Sequence, residues 1–209
     1  MIVVVEPHNI HRYPHLIDEM FRLRARIFND RLKWDVNIIE GRERDRFDEE
    51  KPVYLIYTDE EGREVKGSLR LLPTTGPTLL ADFFYDTLPD ATHLSAPTIW
   101  ECTRFCLDDR ILERGEQNEL LFTSAVMIAA LGELALDTGI ESIIGNFEAP
   151  MLRLYRRIGC EVEILGSTSR YGRPVYLGLF PISEPILQRV KGRLKNAPSA
   201  FARIRELAA

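Results

Sequence analysis

The sequence has little of what marks secreted or metal-organised proteins. Among its 209 residues there are three cysteines, Cys102, Cys106 and Cys160, and none of them forms a C-x-x-C pair. Few cysteines, odd in number and without a framework, predict reduced thiols in a cytoplasm. They also give no zinc-site pattern, so no metal ligand is expected.

Long apolar runs and an excess of positive charge are lacking too. The opening MIVVVEP is too short for the apolar part of a signal peptide and has no basic residues before it. No apolar run is expected to reach the length of a membrane span. The chain has 27 basic and 32 acidic residues, a net charge of −5. That balance disfavours nucleic acid and anionic membranes as partners, so we expect a cytoplasmic protein.

Periodicity predicts one α/β domain over residues 1–209, with a mostly antiparallel sheet and helices on its faces. The apolar fraction of 45% and the charged fraction of 28% are those of a soluble globular protein. Strands are predicted at Ile2–Val5, Val53–Thr58, Glu64–Leu72, Ile99–Leu107, Glu141–Phe147, Cys160–Leu165 and Pro174–Phe180. Helices are predicted at Tyr13–Asn29, 79–88 (with Phe83 and Phe84), Asn118–Thr138, 150–159, and from Ser183 until an interruption at Pro198.

Core packing does not explain every residue between Arg24 and Asp48. Arg24 and Phe28 lie one position beyond the apolar stripe of the first helix and, being four apart, share its flank. Trp34 follows a polar break, and residues 40–48 include seven charged side chains. Taken alone, this segment is explained more simply by core aromatic rings and a solvated charged loop.

Charged residues within predicted strands are a stronger signal. Arg70 lies on the face opposite its apolar neighbours, so it enters a cleft if that face has one and solvent otherwise. Glu101 and Arg104 lie among apolar residues, where charges are costly unless they are paired or used. Strict alternation puts these two on opposite faces. A shared site therefore requires a bulge or a strong twist between them.

Together these residues resemble the acyl-homoserine-lactone synthases, the LuxI-like autoinducer synthases of bacterial quorum sensing. The family pattern is R-x3-F-x5-W, then D-x2-D, an arginine on a strand, a phenylalanine, and E-x2-R. It is matched in order and spacing at Arg24, Phe28, Trp34, Asp45, Asp48, Arg70, Phe84, Glu101 and Arg104. The resemblance implies an N-acetyltransferase-like (GNAT-like) fold, with a splayed, mixed sheet and a V-shaped cleft for a pantetheine thioester.

The resemblance also implies an acyltransferase reaction. A fatty acyl thioester, on acyl carrier protein or in some members on coenzyme A, acylates the amine of S-adenosylmethionine (SAM). Lactone closure then releases 5′-methylthioadenosine. SAM is a substrate in this reaction, and no cofactor is expected.

Roles for the matched residues follow from this chemistry. Glu101 is expected to take the amine proton, directly or through a water, or to orient the amine if nearby arginines keep it a weak base. Arg104 is grouped with it as catalytic. Aromatic rings suit the sulfonium and adenine, while arginines suit either the SAM carboxylate or ion pairs with the aspartates. The substrate-binding residues are expected to be Arg24, Phe28, Trp34, Asp45, Asp48, Arg70 and Phe84.

The second half of the chain resembles the family more loosely. Gly145 stands where many producers of 3-oxo-acyl lactones have threonine, which favours an unsubstituted acyl chain. With Ala149 it is expected to line the acyl-chain pocket and leave room for a longer chain. Arg153, Arg156 and Arg157 offer basic surface to an acidic carrier protein, or else form a solvated helix face. A second basic group follows at Arg189, Lys191, Arg193 and Lys195.

Two other functions are weighed against this one. A general acyl-CoA-dependent N-acyltransferase acting on another amine usually has a Q/R-x-x-G-x-G/A loop that binds pyrophosphate. Residues 107–119, LDDRILERGEQNE, lack its two-glycine spacing. A catalytically silent binding protein would lack a cleft carboxylate or aromatic ring, and none is missing. The oligomeric state is not predicted.

Overall fold

A computed structural model describes residues 1–108, 110 and 117–194. The strands are β1 Ile2–Val5, β2 Ile38–Ile39, β3 Arg42–Glu43, β4 Val53–Thr58, β5 Val65–Pro73, β6 Ile99–Leu107, β7 Ser142–Glu148, β8 Glu163–Thr168 and β9 Val175–Pro181. The α-helices are α1 Pro14–Arg24, α2 Leu79–Asp82, α3 Gln117–Thr138, α4 Ala149–Ile158 and α5 Glu184–Lys191. The interruption expected at Pro198, residues 111–116 of the loop before α3, and Lys195 lie outside the described residues.

Seven strands form one mixed sheet in the order β1-β4-β5-β6-β7-β9-β8, and β2 with β3 forms a small hairpin that was not predicted. Strand β1 pairs with β4 antiparallel, and β9 pairs antiparallel with both β7 and β8. Strand β6 pairs with β7 in parallel. The mixed, mostly antiparallel sheet expected from the sequence is confirmed.

The described residues group into two compact units. The first contains Met1–Arg70, the described part of Arg104–Ala130, and Leu194. The second contains Leu71–Thr103 and Leu131–Arg193.

In the first unit, helix α1 packs its predicted stripe into the core: Leu16, Met20, Leu23 and Ile27 are all buried. The helix does not end at Asn29 as expected. After Arg24 it continues as a π-helix over Ala25–Arg31. A π turn is wider than an α turn and changes the direction of the side chains that follow it. Such turns occur frequently at functional sites, and this one begins directly after Arg24.

Helix α3 ends as predicted at Gly139, whose φ is +76°. By length and composition alone, Asn118–Thr138 is long and apolar enough to cross a membrane, so the expectation that no run reaches that length is wrong. Half of the apolar window is buried inside the protein. A buried core helix passes the same test, so this finding is weak evidence for a membrane span. Burial runs almost all round the helix between residues 123 and 131.

In the second unit, the pairing of β6 with β7 is short. It joins Ile99 to Ser142 and ends with Glu101 opposite Ile144, although β7 continues to Glu148 beside β9. Helix α2 is also shorter than predicted, because it ends at Asp82 and leaves both phenylalanines beyond it.

Candidate functional site

Three arginines and three carboxylates form a cluster in the first unit, which we call the charge cluster. Its arginines come from the end of α1, from β5 and from β6, and its carboxylates come from β3 and the turn that follows. Because an unpaired buried charge is costly, equal numbers of both signs make this burial possible. The members are Arg24, Glu43, Asp45, Asp48, Arg70 and Arg104.

Asp48 lies at the centre of the charge cluster and is fully buried. Its two oxygens accept a bidentate pair of hydrogen bonds from Arg24 at 2.8 and 3.0 Å. Arg70 and the hydroxyl of Tyr54 each donate to it at 2.8 Å. Burial alone would raise the pKa of Asp48, but the hydrogen bond from Arg24 and the charges of both arginines hold that pKa below its usual value. Asp48 is therefore a permanent anion at neutral pH.

The D-x2-D spacing is explained by a local turn. Arg46–Asp48 form a 3₁₀ turn with Asp45 as its N-cap, and the side chains of Asp45 and Asp48 cap each other's backbone. Residues three apart in such a turn lie on one side, so both carboxylates face the arginines. Asp45 accepts from Arg70 at 2.5 and 3.0 Å and lies 2.8 Å from an Arg104 nitrogen.

Glu43 belongs to the charge cluster, although it is not among the site residues expected from the sequence. It is fully buried and accepts from Arg24 at 2.5 Å and from Arg104 at 3.0 and 3.2 Å. Charge balance gave no signal for it, because the expected site already matched its three arginines with three carboxylates, Asp45, Asp48 and Glu101. Glu43 supplies the third negative charge.

Arg104 has an unusual backbone. Its φ is +52°, in the left-handed region, although it lies inside strand β6. Burial in β6 alternates up to Thr103 and then changes phase, since Phe105 is half-buried and Cys106 is buried. The alternation of β6 therefore breaks at Arg104. Non-glycine residues with positive φ are costly and concentrate at functional sites.

An aromatic pair lies next to the charge cluster. The guanidinium of Arg104 sits over the ring of Phe28 at 5.3 Å, and Phe28 stacks on Trp34 with ring centroids 5.0 Å apart. Phe28 is buried, whereas Trp34 is 39% exposed. These contacts form a row from the charge cluster to the surface: Arg104, then Phe28, then Trp34. An exposed aromatic ring of this kind suits a ligand cation. The guanidinium of Arg24 lies over a different aromatic ring, that of Phe21.

Glu101 lies in the second unit and is fully buried. Its two oxygens accept hydrogen bonds from the backbone N–H groups of Leu79 at 2.8 Å and Leu80 at 2.7 Å. These two backbone partners are not expected from the sequence pattern. Glu101 holds the first turn of α2 and has both oxygens engaged by the backbone.

The remaining predicted residues of the second unit are placed as follows. Phe84 is half-buried and packs against a core that includes Ile144 and Leu177, with its ring edge-on to Tyr171 at 5.2 Å. At Gly145 a Cβ would come within 3.0 Å of the Cys102 carbonyl oxygen, so close strand packing gives a second reason for this glycine. Ala149 is half-buried at the start of α4.

The predicted docking arginines share one helix. Arg153, Arg156 and Arg157 on α4 are exposed. The second basic group is partly neutralised, because Arg189 pairs with Glu161 at 3.0 Å and Lys191 pairs with Glu133. Within residues 1–108, 110 and 117–194, no group of three His, Cys, Asp or Glu side chains is arranged to hold a metal ion.

Comparison with known proteins decides the family. A family model described as autoinducer synthase matches residues 8–190. The chain belongs to the autoinducer synthase family. An acyl-homoserine-lactone synthase of Rhizobium etli is 40% identical over 180 residues, 86% of this chain and 83% of the relative. The family and the acyltransferase class expected from the sequence are confirmed.

Solved structures support the fold of this autoinducer synthase. A CoA-dependent acyl-homoserine lactone synthase, BjaI, solved with SAM and isopentyl-CoA, matches with a TM-score of 0.80, 27% identity and 99% of each chain covered. An N-acetyltransferase described as putative, from Lactobacillus plantarum, matches in fold alone, with a TM-score of 0.53, 16% identity, and 88% of this chain and 98% of that chain covered. The predicted GNAT-like fold is confirmed.

Proposed function

We propose that this autoinducer synthase acylates SAM with a fatty acyl thioester and then closes an N-acyl-homoserine lactone. In the first step a water takes one proton from the ammonium group of SAM, the amine then attacks the thioester so that an amide C–N bond forms and the C–S bond breaks, and a second amine proton goes to the leaving thiolate. In the second step a SAM carboxylate oxygen bonds to the γ-carbon, and the C–S bond to 5′-methylthioadenosine breaks. The observation that carries this proposal is the charge cluster, in which every member except Glu43 is a residue of the family pattern.

The charge cluster suggests how the arginines divide their work. Arg24 and Arg70 are at most 1% exposed and are paired with carboxylates, so they brace the wall of the site. Arg104 and Asp45 are 12% and 19% exposed and form the accessible edge. Arg104 then binds the SAM carboxylate, a role that suits a guanidinium with a partly exposed edge.

Trp34 and Phe28 receive the adenosyl sulfonium. One face of the Trp34 ring stacks on Phe28, and its substantial exposure makes the indole accessible to a ligand. A sulfonium or a purine against such a ring gains from cation–π attraction and stacking. Asp45, at the accessible edge, adds a negative charge that favours the cation.

Glu101 acts on the attacking amine by orienting it. Each of its oxygens accepts one backbone hydrogen bond, so the carboxylate is held in one position. A carboxylate so held stays fixed while it accepts from the amine, and a water carries the proton away. Orientation of this kind reduces the entropic part of the barrier.

The acyl donor is proposed to be acyl carrier protein, with Arg153, Arg156 and Arg157 as its docking surface and Gly145 with Ala149 lining the acyl pocket. Exposed arginines on one helix suit an acidic partner. Acyl-CoA is the alternative donor, since BjaI is CoA-dependent. Residues 1–209 are proposed to act as one catalytic domain in the cytoplasm, without nucleic acid or membrane as partner.

Lactone production tests the function. Extracts of a lactone-free bacterial host expressing the chain are analysed by mass spectrometry, beside the same host expressing Glu101→Ala. An acyl-homoserine lactone from the parent alone is the expected result. If the folded parent gives none, purified protein is assayed with SAM and panels of acyl-carrier and acyl-CoA donors. Failure with every donor would contradict the synthase activity.

The SAM site is tested separately with Trp34→Ala and Trp34→Phe. Trp34 is substantially exposed, so both variants are expected to fold. The alanine variant should raise KM for SAM and leave KM for the acyl donor unchanged, and phenylalanine should restore part of the affinity. An equal effect on both substrates would place Trp34 outside the SAM site.

A further inference from the structure

Two buried oxygens in the second unit are acceptors without a donor among the described residues: Oδ1 of Asn146 and Oδ1 of Asp86. The other oxygen of Asp86 accepts from the hydroxyl of Thr168 at 2.6 Å. Buried side-chain oxygens in folded proteins are nearly always hydrogen-bonded. Each of these two oxygens therefore needs a hydrogen-bond donor.

The orientation of the Asn146 carboxamide is set by Thr87. The Thr87 hydroxyl donates its only proton to the Phe84 carbonyl at 2.5 Å, so it can only accept from Asn146. The Asn146 amide nitrogen is 3.4 Å from that hydroxyl oxygen. A rotated carboxamide would set two acceptors against each other there. Oδ1 is therefore the atom that faces away from Thr87.

Strand register places Asn146 on the face that carries Glu101. Glu101 lies opposite Ile144 in the parallel pair of β6 and β7, and paired residues in a parallel sheet point to the same side. Asn146 is two residues beyond Ile144 in β7, which places it about 7 Å from Ile144 along the strand and on the same face. It lies just beyond the point where pairing with β6 ends. A substrate held at Glu101 and extending along β7 would run along the face that carries Asn146.

The surroundings of Asn146 select the kind of donor. Two residues that share its face, Ile144 and Leu177, belong with Phe84 to one packed apolar cluster. Such a wall suits a hydrocarbon chain with one polar substituent. A hydroxyl donates to Oδ1, whereas a 3-oxo group is an acceptor and would oppose it. Pantetheine amides fit less well, because their carbonyls also need donors and both orphan atoms are acceptors.

The acceptor is held rigidly. A Cβ at Gly166 would lie 1.9 Å from the Thr87 carbonyl oxygen, so glycine is needed for the segment of Thr87 to pack this closely on β8. Thr87 in turn orients Asn146. Recognition groups fixed by surrounding packing discriminate better than mobile ones, because little is lost in ordering them.

We propose that Asn146 is a specificity residue that accepts a hydrogen bond from a hydroxyl on the transferred acyl chain, two carbons from the thioester carbonyl. This rests on the proposed acyl transfer to SAM. It agrees with Gly145 in disfavouring a 3-oxo chain, and it replaces the unsubstituted chain expected there with a 3-hydroxyacyl chain. Thr87 is a positioning residue that acts through Asn146.

The test compares kcat/KM for 3-hydroxyacyl, unsubstituted and 3-oxoacyl donors of equal length on one carrier. One neutral hydrogen bond predicts a preference of about five- to tenfold for the 3-hydroxyacyl donor over the unsubstituted one. Asn146→Leu keeps the side-chain size and should bring that ratio close to one. Thr87→Val frees the carboxamide to rotate and should lower the ratio while raising use of the 3-oxo donor. Gln188→Leu, the same chemical change on the exposed face of α5, should leave it unchanged.

The outcomes separate the two proposals. No lactone from any donor would overturn the acyl transfer itself. Lactone formation with equal rates for hydroxylated and unsubstituted donors, or a preference that persists in Asn146→Leu, would overturn the role of Asn146 and indicate that its oxygen is bonded to water. If Asn146→Leu fails to fold, an unchanged ratio in Thr87→Val overturns the proposal in its place.

Discussion

Removing the charge of Glu43 probes the charge cluster most directly. Glu43→Gln keeps the shape of the side chain but leaves three buried arginines facing two carboxylates. The new amide group also points donors at guanidinium groups that offer only donors. Arg24 keeps its bidentate partner Asp48, so the excess charge falls mainly between Arg24 and Arg104.

The size of the effect follows from burial. Glu43 and Arg24 are at most 1% exposed, so solvent screens little of the uncompensated charge. Breaking a buried pair by removing one partner typically costs about 3–5 kcal/mol. Because Arg104 is 12% exposed and part of its charge reaches solvent, we expect a value near the lower end. A loss of about 3 kcal/mol is a large share of the stability of a domain.

Urea unfolding followed by circular dichroism measures this loss, and a charge-balanced variant isolates its cause. Glu43→Gln with Arg104→Gln restores two of each sign, so it should regain part of the stability, with a coupling energy of about 1–3 kcal/mol. It should not regain lactone synthesis, because Arg104 is gone. Glu40→Gln, a matched change in a side chain that is 82% exposed, should leave the unfolding midpoint unchanged. A Glu43→Gln midpoint equal to that of Glu40→Gln would refute the reasoning.

Three further predictions concern single positions. Arg24→Lys cannot reproduce the bidentate bonds to Asp48, so it should lower the unfolding free energy by about 1–3 kcal/mol and reduce activity; full activity would contradict the bracing role. Because the pKa of Asp48 is lowered in the folded protein, its carboxylate stabilises the fold above pH ~4, and this stabilisation is lost as the pH falls below that value. The urea midpoint of Asp48→Asn, measured between pH 2.5 and 6, should therefore vary less with pH than the midpoint of the parent. Gly166→Ala should lose about 1–3 kcal/mol because its Cβ meets the Thr87 carbonyl, whereas Gly192→Ala, with nothing within 4 Å, should not; equal midpoints would show that the segment of Thr87 can move.

Local pattern was enough to predict most of the elements. The limits of β1, β4 and β6 agree with the sequence, because each is a segment rich in apolar, aromatic or β-branched residues with a clear end. Helix α4 ends at Gly159 with a φ of +110°, as a glycine after a helix predicts. These signals are local, so no knowledge of packing was needed.

The errors lie where packing overrides local pattern. The stretch after Leu79 reads as a longer helix, but it leaves helical geometry at Phe83, and Phe84 packs into the core of the second unit. The first turn of that helix is held by Glu101 from another strand. A partner 22 residues away in the chain is not visible to periodicity.

Charge balance alone does not identify Glu43 from the sequence. The expected site matches three arginines with Asp45, Asp48 and Glu101, whereas in the charge cluster the third counter-charge is Glu43. Glu43 follows the hairpin turn at Gly41 and enters β3, which turns it inward, while Glu40 at the same turn stays exposed. The sequence limits the third carboxylate to a few candidates, and only the hairpin decides among them.

The left-handed backbone at Arg104 is a feature that strand alternation predicts only in part. Strict alternation along β6 would place Glu101 and Arg104 on opposite faces, and the alternation breaks at Arg104 itself. Its energetic cost is tolerated because the side chain is fixed by Glu43, Asp45 and the ring of Phe28. Relieving that strain by substitution would also remove the guanidinium that the charge cluster needs, so at this position backbone strain and charge balance depend on the same residue.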